Sequence, residues 1–331
     1  MSAKQIIRLN ASSLKEATCI RRLWFKIIDG YKTKRDKVEP IYGIAFHKVT
    51  ETLALTKDES EAVLAGQSYL QNRLNDGLDI PKGKDYLEVF HLTRSAQAYL
   101  AALKTEAMFT GTELLINPQT QLPLVEQQFS IPIYADDNYE FLLQGTIDRF
   151  VRIRGGCLCI EDFKTTASKD KAAYLSGYKL SHQLRTYVFA VRMLAELYPD
   201  NPIAGHLKGN PTIGARVLGV FLDPKEPTSF AASDVFYEKD MNLPDYYQWL
   251  KGLCVELASC LEYNKSTGKL PWAEGEFNGQ CQTPFGSGCA FANLCASLPA
   301  IGLDAVRALA ARSFKQVLPY EPLKVGGGKE I

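Results

Sequence analysis

The chain has 331 residues, 46% of them hydrophobic and 23% charged, with a formal net charge of +1 at pH 7. This is ordinary globular composition, enough for one large domain or two modest ones. No apolar run reaches the roughly 18 residues of a membrane span, no apolar signal core follows the first residues, and eight cysteines without a signal peptide argue against a disulfide framework.

The first expected element is a helix within residues 10–31, capped by Ser12 or Ser13 and carrying Leu14, Ala17, Trp24 and Ile28 on its apolar positions, with Cys19 in or beside it. A second helix is expected over 41–55, where His47 and Glu51 share a face. Residues 58–110 keep a helical pattern and read as packing, part of a helical insertion over 52–120. The texture then changes. Residues 124–134 alternate like a strand, and 139–154 form another. Gly155-Gly156 is a two-residue hairpin signal, and 157–165 return as the partner strand. A long helix follows over 175–198, a buried strand over 214–222 and a helix over 246–263. From 264 to 295 regular pattern gives way to Pro, Gly and Cys, as in a loop held by metal. The glycine-rich tail is expected to be flexible.

A net charge near zero does not advertise nucleic-acid binding, but carboxylates gathered around metals can cancel basic residues elsewhere. Local basic clusters occur at Lys32, Lys34, Arg35 and Lys37, and at Arg149, Arg152 and Arg154. Each reads as solvated surface.

The chemistry concentrates in the middle of the chain. Asp162 and Lys164 are two apart on one strand and point to one face, while Glu161 points to the other. Asp148 lies on the preceding strand, within reach of the same spot. Hydrolysis of a phosphodiester needs a metal to polarise the phosphoryl oxygens and activate water, and hard divalent cations take carboxylate oxygens. A neighbouring lysine stabilises developing charge or orients the water. His47, in Gly43-x-x-x-His47, offers an imidazole to a transition cation such as manganese. Gln183 and Tyr187 share a helix face that can look back at a bound phosphate or base. Singly these are a surface ion pair, a structural histidine and an i, i+4 contact.

In order, Gly-x-x-x-His, Gly-x-x-Asp, Asp-x-Lys and Gln-x-x-x-Tyr resemble the PD-(D/E)XK nuclease superfamily, and within it the RecB-like exonuclease branch. The aspartate motif reads Ile147-Asp148 rather than Pro-Asp, as is usual in that branch. The resemblance implies an α/β fold, a mixed central sheet flanked by helices. It implies His47, Asp148, Asp162 and the Phe163 carbonyl as ligands of Mg2+ or Mn2+, and Asp148, Asp162 and Lys164 as the catalytic set. Gln183 and Tyr187 match the motif that touches DNA.

Cys281, Cys289 and Cys295 stand apart from this constellation, with seven and five residues between them. The Cys-x-x-Cys pairs of a zinc ribbon are missing. Three clustered cysteines plus a distant one can supply the four thiolates of an iron–sulfur cluster, and Cys19 is the distant partner. Cys157 and Cys159 on a strand, and Cys254 and Cys260 on a helix, read as packing. The plan is similar to AddB-type and CRISPR-associated exonucleases, which implies that Cys19, Cys281, Cys289 and Cys295 hold a [4Fe–4S] cluster as a structural clasp. Zinc at the same thiolates is the alternative.

The expectation is a cytoplasmic, metal-dependent DNA exonuclease. Residues 1–300 form one nuclease domain, with the clasp at 19 and 281–295, and 301–331 form a C-terminal helix and tail. Its substrate is single-stranded DNA or a resected duplex end. The rivals are an endonuclease or flap nuclease of the same fold, and a non-catalytic DNA-binding subunit of a repair or recombination complex. No Gly-x-x-x-x-Gly-Lys-Ser/Thr loop is present, so any unwinding falls to a partner helicase or recombination protein. No membrane association is expected.

Overall fold

A computed structural model describes residues 4–33, 37–179, 181–208, 212–270 and 289–317. The chain divides into two compact units: Met1–Arg35, Phe129–Gly145 and Asn242–Ile331 form one, and Asp36–Gln128 with Thr146–Met241 form the other. It is a mixed α/β protein, with helices on a mixed sheet.

In the larger unit the sheet is built around strand Leu158–Thr166. The last part of strand Tyr139–Ile153 runs antiparallel to it, with Arg149 opposite Glu161. Gly155 and Gly156 close that hairpin with φ of 97° and 84°, a left-handed pair that costs glycine little. On the other side, strand Ile213–Phe221 runs parallel, in register from Leu158 opposite Ile213 to Thr166 opposite Phe221. Ile213–Phe221 is buried at every position, as a strand covered on both faces must be.

Helix Val38–Thr56 supplies His47. It ends at Lys57, whose left-handed φ of 63° closes the last turn. Asp58 then caps helix Glu59–Asn75 by accepting from the Ser60 and Glu61 amides. The His47 helix docks through Phe46, whose ring meets Tyr99 at 5.7 Å and Phe163 at 6.0 Å, while Tyr99 meets Phe163 at 5.8 Å. These three fully buried rings anchor the helix beside the Lys164 strand.

The helix expected over 175–198 is two helices, Lys171–Ser176 and His182–Leu197. Ser181 caps the second by accepting from the Gln183 amide. The break fixes where Gln183 enters its helix.

In the smaller unit, strand Gln5–Leu9 runs parallel to the first part of Tyr139–Ile153. The single helix expected within 10–31 is instead a short turn, Ala11–Leu14, and a helix, Ile20–Ile27. Cys19 occupies the N-cap position of Ile20–Ile27, with extended backbone at φ −147°. Strand Phe314–Gln316 pairs antiparallel with Tyr31–Thr33. Around this pairing the rings of Phe25, Tyr31, Phe291 and Phe314 pack at 5.2–6.1 Å. Cys295 lies in the first turn of helix Ala292–Ser313 rather than in an irregular loop. Among the described residues, no helix is long and apolar enough to cross a membrane.

Candidate metal centre

His47 projects from its helix toward the sheet. One nitrogen, Nε2, lies 3.1 Å from the Phe163 carbonyl oxygen. The other, Nδ1, lies 3.5 Å from Asp148 Oδ2 and 3.6 Å from Glu126 Oε1. Phe163 also donates its amide to Asp148 Oδ2 at 2.7 Å, which tethers that carboxylate to the neighbouring strand. One backbone residue thus orients both the histidine and the aspartate.

The donor atoms of His47, Glu126 and Asp148 all lie within 4.8 Å of one another. Ligand distances of about 2.1–2.4 Å allow separations of up to about 4.2–4.8 Å around one ion. One imidazole and two carboxylates suit manganese or a similar divalent cation. A Phe163 carbonyl accepting from Nε2–H would hold Nδ1 free to coordinate. Burial works against a charged His47, but the Asp148 and Glu126 carboxylates outweigh it and raise its pKa to about 9. A cation coordinated at Nδ1 would compete with a proton there.

Asp162 and Lys164 complete the wall. Asp162 is buried, and Lys164 Nζ lies 2.5 Å from its Oδ2. Gln183 Nε2 donates to Asp162 Oδ1 at 3.0 Å and lies 2.8 Å from the Tyr187 hydroxyl. Burial raises the Asp162 pKa against the pull of Lys164, with Asp148 adding to the rise. Burial likewise raises Tyr187, reinforced by Asp162 and Asp148, and keeps it a neutral phenol. The residues singled out in the sequence therefore meet as two adjoining groups. His47, Asp148 and the Phe163 backbone form the first, and Asp162, Lys164, Gln183 and Tyr187 the second.

Glu126 was not among them. It sits near the start of strand Val125–Ala135, where strict alternation makes a glutamate look solvent-facing. Its φ is 48°, and this left-handed residue breaks the alternation. From Phe129 to Ile133 buried and less buried positions alternate; from Val125 to Gln128 they do not. The signal was absent from the spacing of residue types. Glu51, four residues after His47 on the same helix, pairs with Lys48 at 2.6 Å.

The cysteines fall in the smaller unit. Cys19 and Cys295 are buried and Cys289 is half-buried. Burial pushes the Cys295 thiol up to about 11; Arg21, hydrogen-bonded to it, pulls the other way, and the nearby Cys289 and Cys19 add to the rise. Cys19 and Cys289 thus both act electrostatically on Cys295. Cys281 lies outside the described residues. Of the cysteines read as packing, Cys157, Cys159 and Cys254 are buried and Cys260 is half-buried.

The chain matches no protein-family profile. It is similar to two curated streptococcal proteins, each named as a subunit of an ATP-dependent helicase/deoxyribonuclease. That of Streptococcus pyogenes serotype M1 is 28% identical over 167 residues, 49% of this chain and 14% of the relative. That of Streptococcus agalactiae serotype Ia is 27% identical over 177 residues, 52% of this chain and 15% of the relative. The match thus spans about one seventh of these relatives' length. The solved structure of a protein named SSO0001 aligns over 77% of this chain and 78% of its own, at 11% identity and a TM-score of 0.31, a likeness too loose to bear on fold or function.

Proposed function

We propose that this chain is a metal-dependent deoxyribonuclease of the PD-(D/E)XK type, in the RecB-like exonuclease branch, acting on single-stranded DNA or resected duplex ends. The observation that carries the reading is the meeting of His47, Glu126 and Asp148 beside the Asp162–Lys164 pair. The similarity to proteins named as deoxyribonuclease subunits supports it, and the helicase in the same name supports a helicase as partner. A divalent cation at such a site supplies Lewis acidity toward a phosphoryl oxygen and an acidified water. His47, Glu126 and Asp148 would hold it, with Asp162 alongside. Lys164 places a positive charge where the attacked phosphate gains negative charge. Gln183 and Tyr187 fix Asp162 from behind and present polar atoms to a substrate.

The deciding experiment is digestion of end-labelled linear DNA, single- and double-stranded, beside a circular single strand. Manganese or magnesium should yield short products from linear single strands and leave circles intact. Cutting of circles favours an endonuclease, and no cutting under any condition removes the nuclease reading. Calcium should support binding with little cutting, because its looser coordination positions water poorly. Glu126→Gln and His47→Ala should each weaken Mn2+ binding by at least roughly 10-fold, read by titration calorimetry. Unchanged affinity would make either residue a packing element.

In the smaller unit, Cys19, Cys281, Cys289 and Cys295 would hold a [4Fe–4S] cluster as a structural clasp. The placement of Cys19 at a helix N-cap and Cys295 in the first turn of another helix of the same unit supports this. Four thiolates leave no open position for substrate, so the role is to hold the fold.

A further inference from the structure

The face of the sheet opposite the Asp162 and Lys164 side chains carries charge where an apolar core is expected. Arg149, Glu161 and Arg216 stand opposite one another on three adjacent strands, Arg149 in register with Glu161 and Glu161 with Arg216. The Glu161 side chain is 0% exposed. Arg149 Nε donates to its Oε2 at 2.5 Å, and Arg216 Nε to its Oε1 at 2.8 Å. Each arginine has a further partner: Arg149 Nη1 reaches the Tyr99 hydroxyl at 2.9 Å, and Arg216 Nη2 reaches the Met108 carbonyl at 3.0 Å. The Arg149 guanidinium also lies 4.7 Å from the centre of the Phe163 ring. Arg149 is therefore no solvated surface residue, as its place in a basic cluster had implied.

Each of these contacts has a sequence neighbour in the pocket. Asp148 precedes Arg149, Asp162 follows Glu161, and the pleat sends neighbours to opposite faces. A slip of one residue would exchange the faces, putting Asp148 in the core and Arg149 in the pocket. An apolar ladder tolerates several registers. A glutamate shared by two arginines is satisfied in one, because any slip leaves a buried charge unpaired. Buried ion clusters add little stability over apolar packing, so stability alone does not account for this one.

We infer that the Arg149–Glu161–Arg216 ladder is a positioning device for the metal pocket, locking the strand register that keeps Asp148, Asp162 and the Phe163 backbone against His47. The inference rests on the nuclease reading for the identity of the pocket's occupant.

The test is Mn2+ affinity of the full chain, by titration calorimetry, beside the thermal midpoint. The triple variant Arg149→Met, Glu161→Leu, Arg216→Met removes every charge and strands none. It should keep a midpoint at or above wild type while Mn2+ affinity falls roughly 10–100-fold, the usual effect of losing groups that orient metal ligands. Leu207→Ala, a core truncation on helix Pro202–Leu207, should lower the midpoint and leave Mn2+ affinity unchanged. A folded triple variant that binds Mn2+ like wild type overturns the inference. If the triple variant does not fold, Arg149→Lys decides: it keeps the charge and loses the fork, so affinity should fall roughly 10-fold, and wild-type affinity overturns the inference. Wild-type protein that binds no Mn2+ removes the metal reading and this inference together. Wild-type protein that cuts DNA while both variants bind Mn2+ normally removes the inference alone.

Discussion

Lys164→Ala protein should fold, bind DNA and cut it roughly 10²–10³-fold more slowly than wild type, the loss that follows removal of one preorganised charge from a developing anion. The ammonium is placed for this. It is tied to Asp162 Oδ2 at 2.5 Å, and its side chain is 27% exposed, so it borders the pocket without supporting the core. Burial works against its charge, but Asp162 and Asp148 outweigh that and keep it protonated. The drop should fall in kcat, with calcium-supported DNA binding retained. Wild-type turnover in clean Lys164→Ala protein would remove the nuclease assignment.

Cys19→Ser should have the other large effect, on stability. Anaerobically purified wild-type protein should be brown and carry about four irons per chain. The variant should lose both colour and iron, and its thermal midpoint should drop on the order of 10 °C, because a structural metal site contributes folding free energy outright. Cys19 begins helix Ile20–Ile27, and Cys289 and Cys295 flank Phe291, whose ring meets Phe25 at 5.3 Å. Losing the clasp would remove one of several links between these helices, leaving the ring cluster, the Arg307–Asp29 pair and the short pairing of Tyr31–Thr33 with Phe314–Gln316. Cys254→Ser should keep the colour, since that thiol is buried in a helix and raised to about 12 by burial alone. Colourless protein with one zinc, or full iron in Cys19→Ser, would replace the iron–sulfur reading.

What was legible in the sequence was whatever local pattern controls. Leu158–Thr166 and its hairpin partner could be placed because two glycines mark the turn and alternation sets the faces, so the opposition of Asp162 to Glu161 was also foreseeable. Gln183 and Tyr187 could be paired by helix periodicity. Glu126 could not be found, because a left-handed residue breaks the period on which any face assignment depends. Arg149 read as surface because charge seldom lies in a core, and its burial is explained by Glu161, 12 residues along the chain, and Tyr99, 50 residues back. The break between Ser176 and His182 was hidden by a continuous apolar pattern on both sides.

Side-chain scanning will be blind to the most central contacts of this pocket. At Phe163 the ring lies beneath Arg149, the amide holds Asp148 and the carbonyl faces His47. Every substitution at 163 except proline, which lacks the N–H and breaks the strand ladder, leaves amide and carbonyl in place. Tolerance at that position therefore measures the aromatic floor and says nothing of the two backbone atoms above it. Main-chain chemistry reaches them cleanly: an ester in place of the 162–163 amide link deletes the donor to Asp148 while every side chain remains as it was.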